Sequence, residues 1–160
     1  VMEAMGFDFA VDAIISCARV SLRDLLAVRM TLAQVYDTCC TVLRRSGLPL
    51  RAEVVHFDDG TVDIDSFRRF LKVVESPPFQ DAVLLAFNVK MAYGDAPPDF
   101  LQLGNSHYGL FISIDDGSDL VTLRDTRPKY FGSVRQVELT KLFAAMCDKE
   151  GGHRSLTKAG

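Results

Sequence analysis

Residues 106–125 read SHYGLFISIDDGSDLVTLRD, and this stretch decides the fold. It contains two apolar runs, 107–115 and 120–125. The segment between them is rich in Asp, Gly and Ser, a composition typical of a hairpin turn. Another apolar run, 82–89, precedes the hairpin along the chain. The pattern predicts an antiparallel sheet that contains this hairpin.

His107 opens the first run of the hairpin and Asp125 closes the second. Antiparallel pairing brings both positions to the same end of the sheet, so we expect the two side chains to lie side by side. A carboxylate so placed accepts the imidazole N–H, sets the tautomer and stabilises the ring once it is protonated. The same residue types are common as surface polar groups or local hydrogen-bond partners, so the spacing leaves a catalytic and a structural interpretation open.

Helical periodicity precedes the sheet. Apolar residues three and four apart predict a helix that begins near Thr31, and Gly47 is suited to end it. Alternation predicts a strand at 52–57. A second helix is expected from Asp63 to the Ser-Pro-Pro segment at 76–78, because proline cannot extend the helical hydrogen bonds.

The remaining chain is predicted to hold a long loop at 90–106 and a helix at 137–146. Helices followed by an antiparallel sheet with helices packed on it argue for the α+β class. We expect one domain over residues 1–150 and a frayed polar tail at 151–160.

Composition restricts the function. The chain has 160 residues, is 48% hydrophobic and carries a net charge of −3 with scattered Lys and Arg, so no nucleic-acid partner is expected. No apolar run approaches the roughly 20 residues that cross a bilayer, and no membrane partner is expected. The four cysteines form no Cys-x-x-Cys pair, which argues against a zinc knuckle or a disulfide framework and favours a reducing, cytoplasmic setting.

Several motifs resemble the core of the phytochelatin synthases. QLGNSH at 102–107, LRDTRPKY at 123–130 and a helix ending in LFAAM at 142–146 follow the order of the family's motifs around its histidine and aspartate. TLAQV at 31–35 and the strand-helix segment at 46–71 extend the similarity backwards. The resemblance covers roughly residues 15–150, and the stretch from histidine to aspartate is its specific part.

The resemblance implies a papain-like cysteine protease fold, with a helical part followed by an antiparallel sheet. It also implies a γ-glutamylcysteinyltransferase that acts on glutathione, or its metal thiolate, through a Cys thioester. His107 would be the general base and acid and Asp125 its orienter, while Arg127 and Tyr130 would bind the acyl substrate. No tightly bound cofactor is implied. A heavy-metal ion, Cd or Zn, would be the activator in a role of heavy-metal detoxification.

The nucleophile of the family is not matched in this sequence. The family places it in a Pro-x-Cys-Gly turn, whereas Cys17 is followed by Ala and lies within a helical run. We expect Cys17 to be a buried helix residue and the nucleophile to belong before Val1, so that the domain lacks its N-terminal part. Two alternatives follow. One is a catalytically inactive paralogue that serves as a binding or partner domain, and the other is a cysteine peptidase of the same clan.

Cys39 and Cys40 allow two interpretations. A vicinal thiol pair can bind a soft metal such as Cd or Zn. Helical spacing instead places Cys39 on the apolar face with Cys40 beside it, which favours packing in the core. His56 alternates with Val54 in the predicted strand and is interpreted as structural. No metal ligand is assigned from the sequence.

Overall fold

The computed structural model describes six segments of the chain, which fall into two compact units. The first unit holds residues 32–47 and 51–55. The second holds residues 62–76, 82–94, 106–125 and 133–148. The expected domain end at residue 150 and the tail at 151–160 lie outside these segments.

The first unit contains helix α1, Leu32–Ser46. Arg44 and Arg45 occupy its last turn, where cations complement the negative end of the helix dipole. Gly47 follows with φ 67°, a left-handed conformation that glycine adopts without steric cost. The helix predicted from the periodicity is thus confirmed. Its predicted N-terminal residue Thr31 lies outside the described residues.

The strand predicted at 52–57 is wrong over residues 52–55, which have no regular secondary structure. Val54 and Val55 are exposed there, so the alternation did not correspond to a buried face. The rest of that prediction, including His56, lies outside the described residues.

The second unit is a four-stranded antiparallel sheet in chain order with three helices, an α+β arrangement. Its elements are α2 (Ile64–Glu75), β1 (Leu84–Asn88), α3 (Val89–Tyr93), β2 (Ser106–Asp115), β3 (Leu120–Asp125), β4 (Val134–Glu138) and α4 (Leu139–Met146). Each strand pairs with its neighbour in sequence. The three predicted strands of the sheet are confirmed.

Two predictions need correction here. The helix predicted at 137–146 begins only at Leu139, because Val134–Glu138 forms the fourth strand. The loop predicted at 90–106 begins as helix α3, since the Asn88 side chain accepts hydrogen bonds from the backbone N–H groups of Lys90 and Met91. A side-chain cap of this kind satisfies donors that a short helix otherwise leaves unpaired.

One face of the sheet carries the core. Its inward side chains pack against the apolar faces of α2 and α4. Phe67 of α2 and Phe143 of α4 lie with ring centroids 5.6 Å apart. The core residues contributed by the sheet are Leu85, Phe87, Phe111, Ile114, Val121, Leu123 and Val137.

The turn between β2 and β3 is joined to two helices through Asp119. This residue has φ 55°, which Asp tolerates better than most side chains. Its carbonyl accepts the N–H of Leu139 at the start of α4, at 2.9 Å. Its carboxylate accepts two hydrogen bonds from the Arg68 guanidinium of α2. The hairpin turn is therefore held against both helices.

A β-bulge interrupts β2 between Phe111 and Ser113. Phe111 is opposite Leu123 and Ser113 is opposite Thr122, so Ile112 is an extra residue without a partner in β3. Ile112 points outward and is 39% exposed. Side chains alternate between faces along a strand, so the extra residue reverses which residues of β2 face the core.

Candidate active site

His107 and Asp125 meet on the inner face of the sheet. His107 Nε2 lies 2.9 Å from Asp125 Oδ1. Both residues are buried, with 7% of His107 and 1% of Asp125 exposed. The pair predicted from the ends of the two strands is present as a buried hydrogen bond, while its catalytic role stays a prediction.

The strand register explains the contact. Asp125 lies directly opposite Gly109, and His107 is two residues from Gly109 on the same face. Such diagonal neighbours have Cα atoms about 7–8 Å apart, which long side chains can span. Gly109 has no side chain, so nothing of its own stands between the imidazole and the carboxylate.

The bulge at Ile112 puts both groups on one face. If the pairing of Ile114 with Val121 continued without an extra residue, Leu110 would lie opposite Asp125. His107 would then point to the other side of the sheet, because neighbouring residues of a strand face opposite ways. The bulge is thus the backbone feature that brings His107 to Asp125.

The hydrogen bond determines the tautomer of the neutral ring. When Asp125 is ionised, its carboxylate only accepts hydrogen bonds, so the Nε2 of His107 then carries the hydrogen. The lone pair of the neutral imidazole is then on Nδ1, which is the basic nitrogen. A ring held in this way can take a proton at Nδ1 while Asp125 stabilises the resulting charge.

A second buried polar group lies at the same end of the sheet. Asn88 is directly opposite Ser106, the residue before His107. Its side-chain amide donates to the Asp148 carboxylate at 2.5 Å, and its amide oxygen caps α3. Asn88 therefore links β1, α3 and the residues that follow α4, and it supports the sheet end that carries His107.

The outer face of β2 is partly apolar. Tyr108 follows His107 and points the other way, and burial raises the pKa of its phenol to about 12. Ile112 of β2 and Val134 of β4 are exposed. The histidine and aspartate lie on the opposite, inner face.

The other predicted site residues are placed as follows. Arg127 and Tyr130, the expected substrate contacts, lie outside the described residues, as does Cys17. Cys39 is exposed and Cys40 is half-buried, so the predicted core packing of Cys39 is wrong. The buried residues of helix α1 are Thr38 and Val42 instead.

Within the six described segments, no three His, Cys, Asp or Glu residues are grouped so as to hold a metal ion. Among the helices of these segments, none combines the length and apolarity required to cross a bilayer.

Sequence reasoning missed the bulge, Gly109 and the Asn88–Asp148 contact. A weak signal for the bulge exists, since Leu110, Phe111 and Ile112 are three successive apolar residues that break the alternation of β2. A glycine within a strand also signals a bulge or close packing. The Asn88–Asp148 contact joins residues 60 positions apart and has no local signature.

Comparison with known proteins does not assign the chain to a family. The chain matches no protein-family model and shows no significant similarity to a curated protein.

Proposed function

We propose that the protein is a glutathione γ-glutamylcysteinyltransferase of the phytochelatin synthase type, with a papain-like fold. The observation that supports this most is the buried hydrogen bond between His107 Nε2 and Asp125 Oδ1. It occurs at the two positions where the motif resemblance implies the catalytic base and its orienter. The transferase would act on glutathione or its metal thiolate, in the cytoplasm, with Cd or Zn as the activating ion.

In the proposed mechanism His107 acts in two steps, first as a base and then as an acid. A cysteine thiol has an ordinary pKa near 8.5 and needs a neighbouring base to become a nucleophilic thiolate. Nδ1 of His107 takes the thiol proton, and the thiolate attacks the carbonyl carbon of the Cys–Gly amide. The C–N bond breaks, the imidazolium returns its proton to the departing amine, and free glycine leaves a thioester on the enzyme.

The second half of the reaction uses the same base. The amine of a second glutathione, or a water molecule, attacks the thioester carbonyl and loses its proton to Nδ1 of His107. The C–S bond breaks and the thiolate is regenerated. Asp125 stays ionised throughout, holding the ring and stabilising its positive charge.

The test is glycine release. The full-length product is incubated with glutathione, with and without Cd or Zn, and free glycine is measured. His107→Gln is expected to lower the rate by about 100-fold to 10,000-fold, the usual contribution of a general acid-base group. Asp125→Asn is also expected to lower the rate, because the imidazolium loses the carboxylate that stabilises it. Asp116→Asn is the matched control for this variant, since Asp116 lies in the hairpin turn and is mostly exposed. The control is expected to keep the wild-type rate.

Cysteine replacement completes the test. Each cysteine of the product is changed to serine in turn, and one variant is expected to lose glycine release and thioester formation. Full activity in all of these variants, or in His107→Gln, refutes the thiolate mechanism.

A second candidate is a catalytically inactive paralogue that acts as a binding or partner domain. The low exposure of His107 favours it, because a buried imidazole paired with a carboxylate also serves as a structural contact. Binding of glutathione by calorimetry, without glycine release under any metal condition, is the result that this candidate predicts.

A further inference from the structure

The His107 ring is held from the side opposite Asp125 as well. Phe87 of β1 is the direct cross-strand partner of His107. The two rings lie 5.6 Å apart between centroids with an interplanar angle of 88°, an edge-to-face contact. Since β2 lies between β1 and β3, the imidazole has an aromatic contact on one side and its carboxylate on the other.

Phe87 is itself fixed in place. It has no exposed surface, and it makes a second edge-to-face contact with Tyr93 of α3 at 5.6 Å and 88°. The Arg135 guanidinium of β4 lies 4.0 Å from the centre of the Tyr93 ring, within the range of cation–π attraction. Rotation of the Phe87 ring would therefore disturb contacts on both sides.

Gly109 provides the space that Phe87 occupies. A Cβ atom at position 109 would lie 3.1 Å from Phe87 Cε1 and 3.4 Å from Leu123 Cδ1. Phe87 and Leu123 are both fully buried, so neither can move without disturbing the core. Gly109 is not among the glycines with positive φ, so a side chain at this position is crowded by its neighbours and is not opposed by the backbone conformation.

We propose that Gly109 and Phe87 are positioning residues that set the orientation of the His107 ring toward Asp125. Gly109 leaves room for the Phe87 ring, and that ring holds the imidazole where Nε2 reaches the carboxylate. Neither residue is assigned a contact with substrate. The significance of this arrangement for catalysis rests on the proposed function, whereas the arrangement itself can be tested without any activity.

The test uses NMR of the full chain labelled with ¹⁵N-histidine. Long-range ¹H–¹⁵N spectra distinguish the two tautomers, and wild-type His107 is expected to show one form, with the hydrogen on Nε2. Gly109→Ala is expected to lose this single-tautomer signature. Gly117→Ala in the turn of the same hairpin is the matched control, because its added Cβ would approach nothing closer than Asp115 Oδ1 at 3.7 Å. The control should leave the signature unchanged.

Phe87→Leu distinguishes a role of the Phe87 ring in positioning His107 from a general loss of stability. It also keeps the test valid if Gly109→Ala fails to fold. Leucine stays apolar but has no ring, so the single variant is expected to lose the signature. The double variant Gly109→Ala/Phe87→Leu is expected to match Phe87→Leu alone, since the clash requires the ring. A folded Gly109→Ala or Phe87→Leu protein that keeps the wild-type signature overturns the proposal.

The two proposals fail in different ways. Glycine release by the wild type, together with an unchanged signature in Gly109→Ala, would refute only the positioning roles. A lost signature in Gly109→Ala, together with no glycine release by the wild type, would refute only the transferase.

Discussion

A buried carboxylate destabilises a fold unless it is paired, and Asp125 is 1% exposed. The Asp125 carboxylate is bonded to His107 Nε2 of β2. Its backbone N–H donates to the carbonyl of Ser133, the residue before β4, at 2.9 Å. The pair therefore contributes to folding whether or not it also acts in catalysis.

We predict that the two residues are coupled in stability. His107→Ala should lower the free energy of unfolding by about 3 kcal/mol, because it leaves the Asp125 carboxylate buried without this partner. The double variant His107→Ala/Asp125→Ala should cost at least about 1 kcal/mol less than the sum of the two single variants. Urea unfolding at neutral pH measures all three. Additivity within about 0.5 kcal/mol would contradict the coupling.

At the scale of elements, the bulge in β2 has the largest consequence. Deleting Ile112 should remove the bulge and leave Phe111 opposite Leu123 and Gly109 opposite Asp125, because Ile112 has no partner in β3. His107 should then stay on the inner face, and the Nε2–H signature in ¹⁵N spectra should be retained. Ile112→Ala should retain it as well, since it keeps the residue count and removes only an outward-pointing side chain. Loss of the signature in the deletion variant would show that the orientation of His107 depends on the bulge itself and not on the register of the strands.

The turn of the same hairpin shows how elements are joined. Asp119 connects it to α2 through its carboxylate and to α4 through its carbonyl. Lys72 of α2 adds an ion pair with Asp116 of the turn at 2.5 Å. Sequence composition predicts this turn only as a connection between two strands. Because of these contacts, the turn also joins the sheet to its helices.

For the whole second unit, the charges predict acid sensitivity. The pKa of Asp63 is lowered by its hydrogen bonds with Ser66, that of Asp115 by Ser118 and the Gly117 N–H, and that of Asp119 by Arg68. A carboxyl group whose pKa is lower in the folded state stabilises the fold above its unfolded pKa. That contribution is lost as the pH falls through the folded value.

Stability should therefore decrease as the pH falls below about 4, the ordinary pKa of Asp. Urea midpoints measured from about pH 6 to about pH 2 test this expectation. The triple variant Asp63→Asn/Asp115→Asn/Asp119→Asn should be less stable at neutral pH and should show a shallower decrease on acidification. An unchanged pH dependence in that variant would assign the acid sensitivity to other groups.

The sequence by itself determined the class of the fold and the residue types at the sheet end. Apolar runs and turn residues are local signals, so the hairpin, helices α1 and α2 and the neighbouring strands could be predicted from them. The prediction of a strand at 52–57 was wrong over residues 52–55, because alternation alone does not ensure that a partner strand is present.

Only the tertiary structure decided that His107 and Asp125 share a face. Counting back from the turn by simple alternation puts them on opposite faces, and the extra residue at Ile112 reverses that result. Whether a strand accepts a bulge depends on the packing of both its faces, which involves Phe87, Leu123 and other residues distant in sequence. A local pattern thus predicts which strand ends meet, whereas the packed core determines which side chains touch there.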